Sequence, residues 1–140
     1  MKKFELTSEF VTFLGKKLFR IKALVSFGDV KEGELGGLVE KEENLDQSGN
    51  AWVYGNAGVS GDARVQNCRD YSATSCFGSG NRTTTFFRTK DGGISVRCGC
   101  FYGTLAEFRE KVKERHGGRR LAKEYLMLAD LMEFRLSKDE

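Results

Sequence analysis

Residues 49–66 repeat one six-residue pattern three times without a gap: GNAWVY, GNAGVS and GDARVQ, or G-[ND]-A-x-V-x. A short fixed period constrains the fold more than any other feature of the chain. Each repeat is a single supersecondary unit that cannot bury its apolar face alone. So few units cannot make a core by stacking only on one another. The repeat face must be completed by flanking strands or by a second subunit, and the segment reads as structural or as an assembly element.

The flanks supply candidate strands. Phe10 to Leu14 is one apolar run, Gly15-Lys16-Lys17 is a turn, and Leu18 to Val25 is a second run with Phe19, Ile21, Ala23 and Val25 on its apolar face. Residues 26–37 are glycine-rich and loop-like. After the repeat, YSATSCFGSG (71–80) reads as a Ser/Gly-rich connector and the natural domain boundary. The organisation expected is a short-strand and repeat region over 1–71 and a hairpin plus two-helix module over 72–140. The fold class is α+β.

The hairpin is RTTTFFRTKDGGISVRCGCF, residues 82–101. Asp91-Gly92 is a two-residue turn signal between runs of β-branched and aromatic residues. With the turn there, Thr83, Thr85 and Phe87 share an inner face with Cys100, Cys98 and Val96. The other face carries Arg82, Thr84, Phe86, Arg88 and Lys90 opposite Phe101, Gly99, Arg97, Ser95 and Gly93. That second face is cationic and aromatic, and guanidinium groups recognise phosphate while flat rings stack on bases. A turn at Gly92-Gly93 would instead set Arg88 opposite Arg97, unfavourable without an anion between them.

Two helices follow. Thr104-Leu-Ala-Glu107 is a capping box opening a helix that ends near His116, before Gly117-Gly118. Its apolar stripe is Leu105, Phe108 and Val112, with Arg109, Lys111, Lys113 and Arg115 on other faces. His116 reads as a capping or surface residue. A last helix from about Arg119 to Leu136 has one stripe of Leu121, Tyr125, Leu128 and Met132 and a second of Met127, Leu131 and Phe134. That is more apolar surface than one side of a small sheet covers, and it calls for a second subunit.

Composition removes several functions. Net charge is +3 over 140 residues, with an acidic stretch at 32–46 and a basic one at 82–120. A local basic field suits a small anion or a short stretch of nucleic acid. No apolar run has membrane length and no signal peptide is visible, so a soluble cytoplasmic protein is expected. The four cysteines read as free thiols, and one histidine with no CxxC pair gives no metal site. No P-loop, GxSxG or paired-carboxylate motif occurs, so neither an enzyme nor a cofactor is expected.

Two resemblances follow from these segments. LFRIKAL…GELGGLVEKEENL…GNAWVYGNAGVSGDARV resembles phage-encoded hexapeptide-repeat proteins and the hexads of left-handed β-helices. That resemblance implies inward Ala and Val, turn conformations at Gly and Asn/Asp, a degenerate coil at Gly36 to Asp46 and a decayed rung at Asn67 to Tyr71. Acyltransferases with this repeat carry many coils and a catalytic histidine between subunits, which this chain lacks. TTTFFRTKDGGISVRCGCFYGTLAEFREKVKERHG…AKEYLMLADLMEFRL is similar to a phage C-terminal module of two strands and two helices, that of the Thoeris anti-defence proteins. The likeness implies a homo-oligomer, joined through the C-terminal helix, that sequesters cyclic ADP-ribose isomers or related cyclic nucleotides in the cytoplasm of an infected bacterium.

The function expected is therefore non-enzymatic binding of a small cyclic nucleotide signal. Phe86 and Phe101 would stack on a base, and Arg82, Arg88, Lys90 and Arg97 would hold phosphates. Thr84 and the Gly99 backbone would supply hydrogen bonds, and Arg109 or Tyr125 would complete the pocket from a partner subunit. The alternative is a nucleic-acid-binding or nucleoprotein-inhibiting phage protein of the anti-CRISPR kind, using the same face. A third reading is a structural protein whose repeats mediate assembly.

Overall fold

The computed structural model describes residues 2–67, 69–77, 82–98 and 101–137, with side chains described for all of these but 75–77 and 82. The fold is α+β: two four-stranded sheets and two helices. The first sheet has the order β1 (Phe4–Phe13), β2 (Lys16–Ala23), β3 (Leu35–Val39), β4 (Gly58–Val59). The second has the order β5 (Tyr71–Phe77), β6 (Arg82–Arg88), β7 (Ile94–Cys98), β8 (Phe101–Thr104), followed by α1 (Leu105–His116) and α2 (Arg120–Leu136).

The hexads behave as their period implies. Ala51, Ala57 and Ala63 are buried, as are Val53, Val59 and Val65 two residues on. Each buried valine contributes about 2 kcal/mol by leaving water. The first residue of each hexad, Gly49, Gly55 or Gly61, has positive φ, where a Cβ would strain the turn. Leu38 pairs in parallel with Gly58, Val39 with Val59 and Leu45 with Val65, the same offset each time. The segment around Gly36 to Asp46 thus lies beside the repeat as an earlier turn of chain. Gly37 is needed there, since a Cβ would come within 2.5 Å of the Val53 side chain and 2.6 Å of the Ala57 carbonyl. After the repeat the Asp70 amide donates to the Asn67 carbonyl at 3.1 Å.

The chain closes its own repeat. On one side β2 pairs antiparallel with β3. On the other the second sheet lies across the last hexads. The Gly58 amide donates to the Thr85 hydroxyl at 3.1 Å, the Arg64 amide to the Arg88 carbonyl at 2.9 Å and the Lys90 amide to the Asp62 carbonyl at 2.8 Å. The core completed in this way contains Trp52, Val39, Leu45 and, from β6, Phe87.

The second sheet is covered on both faces. Phe87 faces the repeat core, while its neighbour Phe86 joins Val96, Phe108, Tyr125 and Leu128 in a core under the helices. Both phenylalanines are fully buried. Strands buried on two faces read as near-continuous apolar runs. Thr84-Thr85-Phe86-Phe87 is buried on both faces, with both threonine hydroxyls hydrogen-bonded.

Three expectations are corrected. The segment 71–80 is not wholly a connector: Tyr71–Phe77 is strand β5, whose Tyr71, Ser72, Ala73 and Thr74 pair with Phe87, Phe86, Thr85 and Thr84. In the N-terminal hairpin the first strand begins at Phe4 and the turn is Leu14-Gly15, one residue earlier than expected.

The third correction is the register of the β6–β7 hairpin. Phe86 pairs with Val96, not Arg97; Arg88 with Ile94, not Ser95; Thr84 with Cys98, not Gly99. The loop has three residues, Lys90-Asp91-Gly92. The Gly92 amide donates to the Thr89 carbonyl at 3.0 Å, and Gly92 has φ +89°. This is a tight turn followed by a left-handed glycine, the other loop that an Asp-Gly pair serves. The Asp91 carboxylate accepts hydrogen bonds from the Thr89 hydroxyl and the Gly93 amide, which hold its pKa below the usual carboxylate value. A one-residue slip moves every partner side chain to the opposite face. Arg97 therefore lies on the repeat side of the sheet, away from Phe86.

Candidate functional site

The capping box forms as the sequence implies. The Thr104 hydroxyl accepts from the Glu107 amide at 3.1 Å and the Glu107 carboxylate from the Thr104 amide at 2.9 Å. This fixes the start of α1 and the direction of its faces. Phe108 and Val112 then point into the helical core. Lys111, Arg115 and His116 follow at spacings of three and four along the next stripe. They stand at the edge of that core, where α1 leaves the sheet.

The edge is a cavity of about 560 Å³. Phe108, Phe101 and Tyr125 form its aromatic floor. Phe108 packs at 5.8 Å against both of the other rings. His116 stacks on Tyr125 at 5.7 Å with only 21° between the planes. Cys98 and Tyr102 contribute from the sheet, and Lys111 and Arg115 stand on the helix side. From across the fold comes Leu14, at the tip of the β1–β2 turn. It is 61 % exposed and is the one non-glycine with positive φ among the described residues.

The charge is one-sided. Among the described residues no carboxylate lines this cavity. Lys111 has an exposed partner in Glu114 at 3.5 Å, whereas Arg115 has no ion-pair partner among the described residues. The groove on the other flank of α1 is mixed, for Glu107, Glu110 and Glu114 line it together with Lys111 and Lys113. An anion is therefore favoured on the first side of the helix over the second. The size lies within the range of small-molecule sites, roughly 300–1,000 Å³.

The ten residues expected to form a pocket are not gathered in one place. Phe101 and Tyr125 line the cavity. Phe86 and Thr84 are buried beside it, the Thr84 hydroxyl donating to Cys98 Sγ at 3.1 Å. Arg88 is tied up inside the fold, donating from Nε to the Leu136 carbonyl at 2.6 Å and pairing with Asp70 at 3.5 Å. Lys90 is on the surface near Asp62, at 3.8 Å. Arg109 joins the two helices, donating to Asp130 at 2.8 Å and Glu133 at 2.7 Å; the Glu133 bond, with that of Asp130, raises its pKa. Arg97 lies over the Phe13 ring at 4.1 Å, its Nε buried without a partner, and burial lowers its pKa. The Arg82 side chain and Gly99 lie outside the described residues.

No protein-family model matches the chain, and no curated protein matches it either. The site must be read from its own chemistry. The residues that sequence reasoning passed over are Lys111, Arg115, His116, Phe108 and Leu14. A signal for the helical ones was present. Cations at positions 111 and 115 border the apolar stripe of Phe108 and Val112, the place where a helix face leaves a core. Nothing in the sequence brings Leu14 to them.

Proposed function

We propose that the protein is a non-enzymatic binder that sequesters a small anionic, ring-bearing ligand of the nucleotide class in the cavity between α1, α2 and β8. The observation that carries this reading is an aromatic floor bordered by Lys111, Arg115 and His116 with no carboxylate among the described residues that line it. Aromatic rings accept a base by stacking, and the cations accept phosphate. The resemblance to the Thoeris anti-defence proteins would make the ligand a cyclic ADP-ribose isomer or a cyclic oligonucleotide, and the setting the cytoplasm of an infected bacterium. The hexads would then be a short left-handed β-helical coil, serving as a scaffold.

Met127, Leu131 and Phe134, on the outer face of α2, are 70 %, 55 % and 83 % exposed. They support the accompanying proposal that the protein works as a helix-joined oligomer. Titration calorimetry with mononucleotides, cyclic ADP-ribose isomers and cyclic di- and trinucleotides tests the binding reading. Micromolar binding of at least one is expected, and silence from all of them would overturn it. Affinity that grew with strand length and collapsed with salt would favour the nucleic-acid reading instead.

A further inference from the structure

Many cations in the molecule have a partner among the described residues. Lys2, Lys16, Arg20, Lys41, Arg88, Lys90, Arg109, Lys111 and Lys113 all have carboxylate partners. Arg97 and Lys17 lie over aromatic rings. Lys22, Lys31, Arg64 and Arg69 are also exposed without an ion-pair partner among the described residues, but the unpaired cations nearest the cavity gather at the corner between the two helices. Arg115, Arg119, Arg120 and Lys123 are exposed and have no ion-pair partner among the described residues.

These charges do not help the fold. Arg119, the N-cap of α2, and Arg120 each stand one turn from Lys123, and like charges at that spacing oppose a helix, with Glu124, four residues after Arg120, as the nearby acid in sequence. The first turn of α2 has no acidic residue, so its charge also opposes the helix dipole. The corner is continuous with the cavity. Arg115 and His116 line the cavity, and the Arg119 amide donates to the His116 carbonyl at 3.1 Å across the turn.

Resting on the nucleotide reading of the cavity, we propose that its ligand carries at least two separate phosphate groups. One is held inside by Lys111 and Arg115. The other is held outside by Arg119, Arg120 and Lys123. The shared chemistry is a phosphodiester-linked nucleotide, and an isolated mononucleotide would fill only the inner half of the site. The second phosphate cancels part of that cluster's charge.

The test uses the full chain and four probes: AMP, the linear dinucleotide pApA, cyclic di-AMP and an oligoadenylate of five residues. The wild type is expected to bind pApA about tenfold more tightly than AMP, the gain of an added multi-cation phosphate contact. In the Arg119→Gln/Arg120→Gln/Lys123→Gln variant that advantage should vanish, with AMP affinity unchanged and helix content preserved by circular dichroism. Lys111→Gln/Arg115→Gln should weaken both probes. Retention of the tenfold step by cyclic di-AMP supports the proposal with a small cyclic source. A further rise with the five-residue strand supports it with a single-stranded source. Equal affinity for AMP and pApA, or an advantage that survives in the triple variant, overturns the two-phosphate proposal while leaving the cavity reading intact. Binding of none of the probes overturns both.

Discussion

The second sheet is packed from both sides, and the two sides are finished differently. On the repeat side, Phe87, Trp52 and the hexad valines form a core that the chain itself closes, with β2 along one edge and β6 along the other. On the helical side, Phe86, Phe108 and Tyr125 form a core whose edge stays open as a cavity bordered by cations. The outer face of α2 is also left apolar. One side closes its hexad core, although Phe10, Val11, Leu35 and Tyr54 around it stay exposed. The other keeps aromatic surface and charge within reach of solvent, and that is where binding chemistry can act.

Adjacent residues test that contrast most strongly. Phe86→Ala and Phe87→Ala should each cost about 3–5 kcal/mol in chemical unfolding, the usual loss for a buried phenylalanine. Only Phe86→Ala should also disturb ligand binding, since Phe86 packs on Phe108 at 5.7 Å. Equal binding defects in the two variants would erase the distinction between the sides. Gly37→Ala should cost somewhat less, about 2 kcal/mol, because its methyl meets the Ala57 carbonyl and Val53 in a packed interior. Unfolding of Gly37→Ala at the wild-type midpoint would contradict the tight packing of β3 on the repeat.

How far the sequence discloses this contrast depends on how far apart the contributing residues lie. The hexads are legible because their period lies within the sequence: alanine and valine point inward and the leading glycines take positive φ. The capping box and both stripes of α2 are legible for the same reason. The hairpin register is not, because Asp-Gly serves both a two-residue loop and a three-residue loop. That single residue decides whether Arg97 faces the helices or the repeat. The cavity is less legible still. Its walls come from Leu14, from Cys98, Phe101 and Tyr102, from α1 and from Tyr125, brought together only by the packing of both units on one sheet.

Smaller effects sharpen the comparison. Leu14 sits in the left-handed region at φ +50°, where a non-glycine residue costs about 1 kcal/mol. Leu14→Gly should therefore raise the melting temperature slightly while weakening ligand binding, because it removes a wall of the cavity. A variant that bound as well as wild type would show that the turn takes no part in the site. Asp91 should give the smallest effect. Its folded pKa lies below the ordinary 3.8, so its contribution is present above pH 3.8 and is lost as the pH falls through the folded value. The melting temperatures of wild type and Asp91→Asn should differ at neutral pH and converge in acid. A constant gap would mean that the carboxylate does not hold the loop.

The claim that binding belongs to the helical side is tested most directly by nucleotide titration of two charge variants in parallel. Lys111→Gln/Arg115→Gln changes the cavity, and Arg64→Gln/Lys90→Gln changes the polar recess by the repeat that Arg64, Arg88 and Lys90 line. Binding heat should be lost in the first variant and unchanged in the second. Loss in the second with retention in the first would place the site on the repeat side and contradict the assignment.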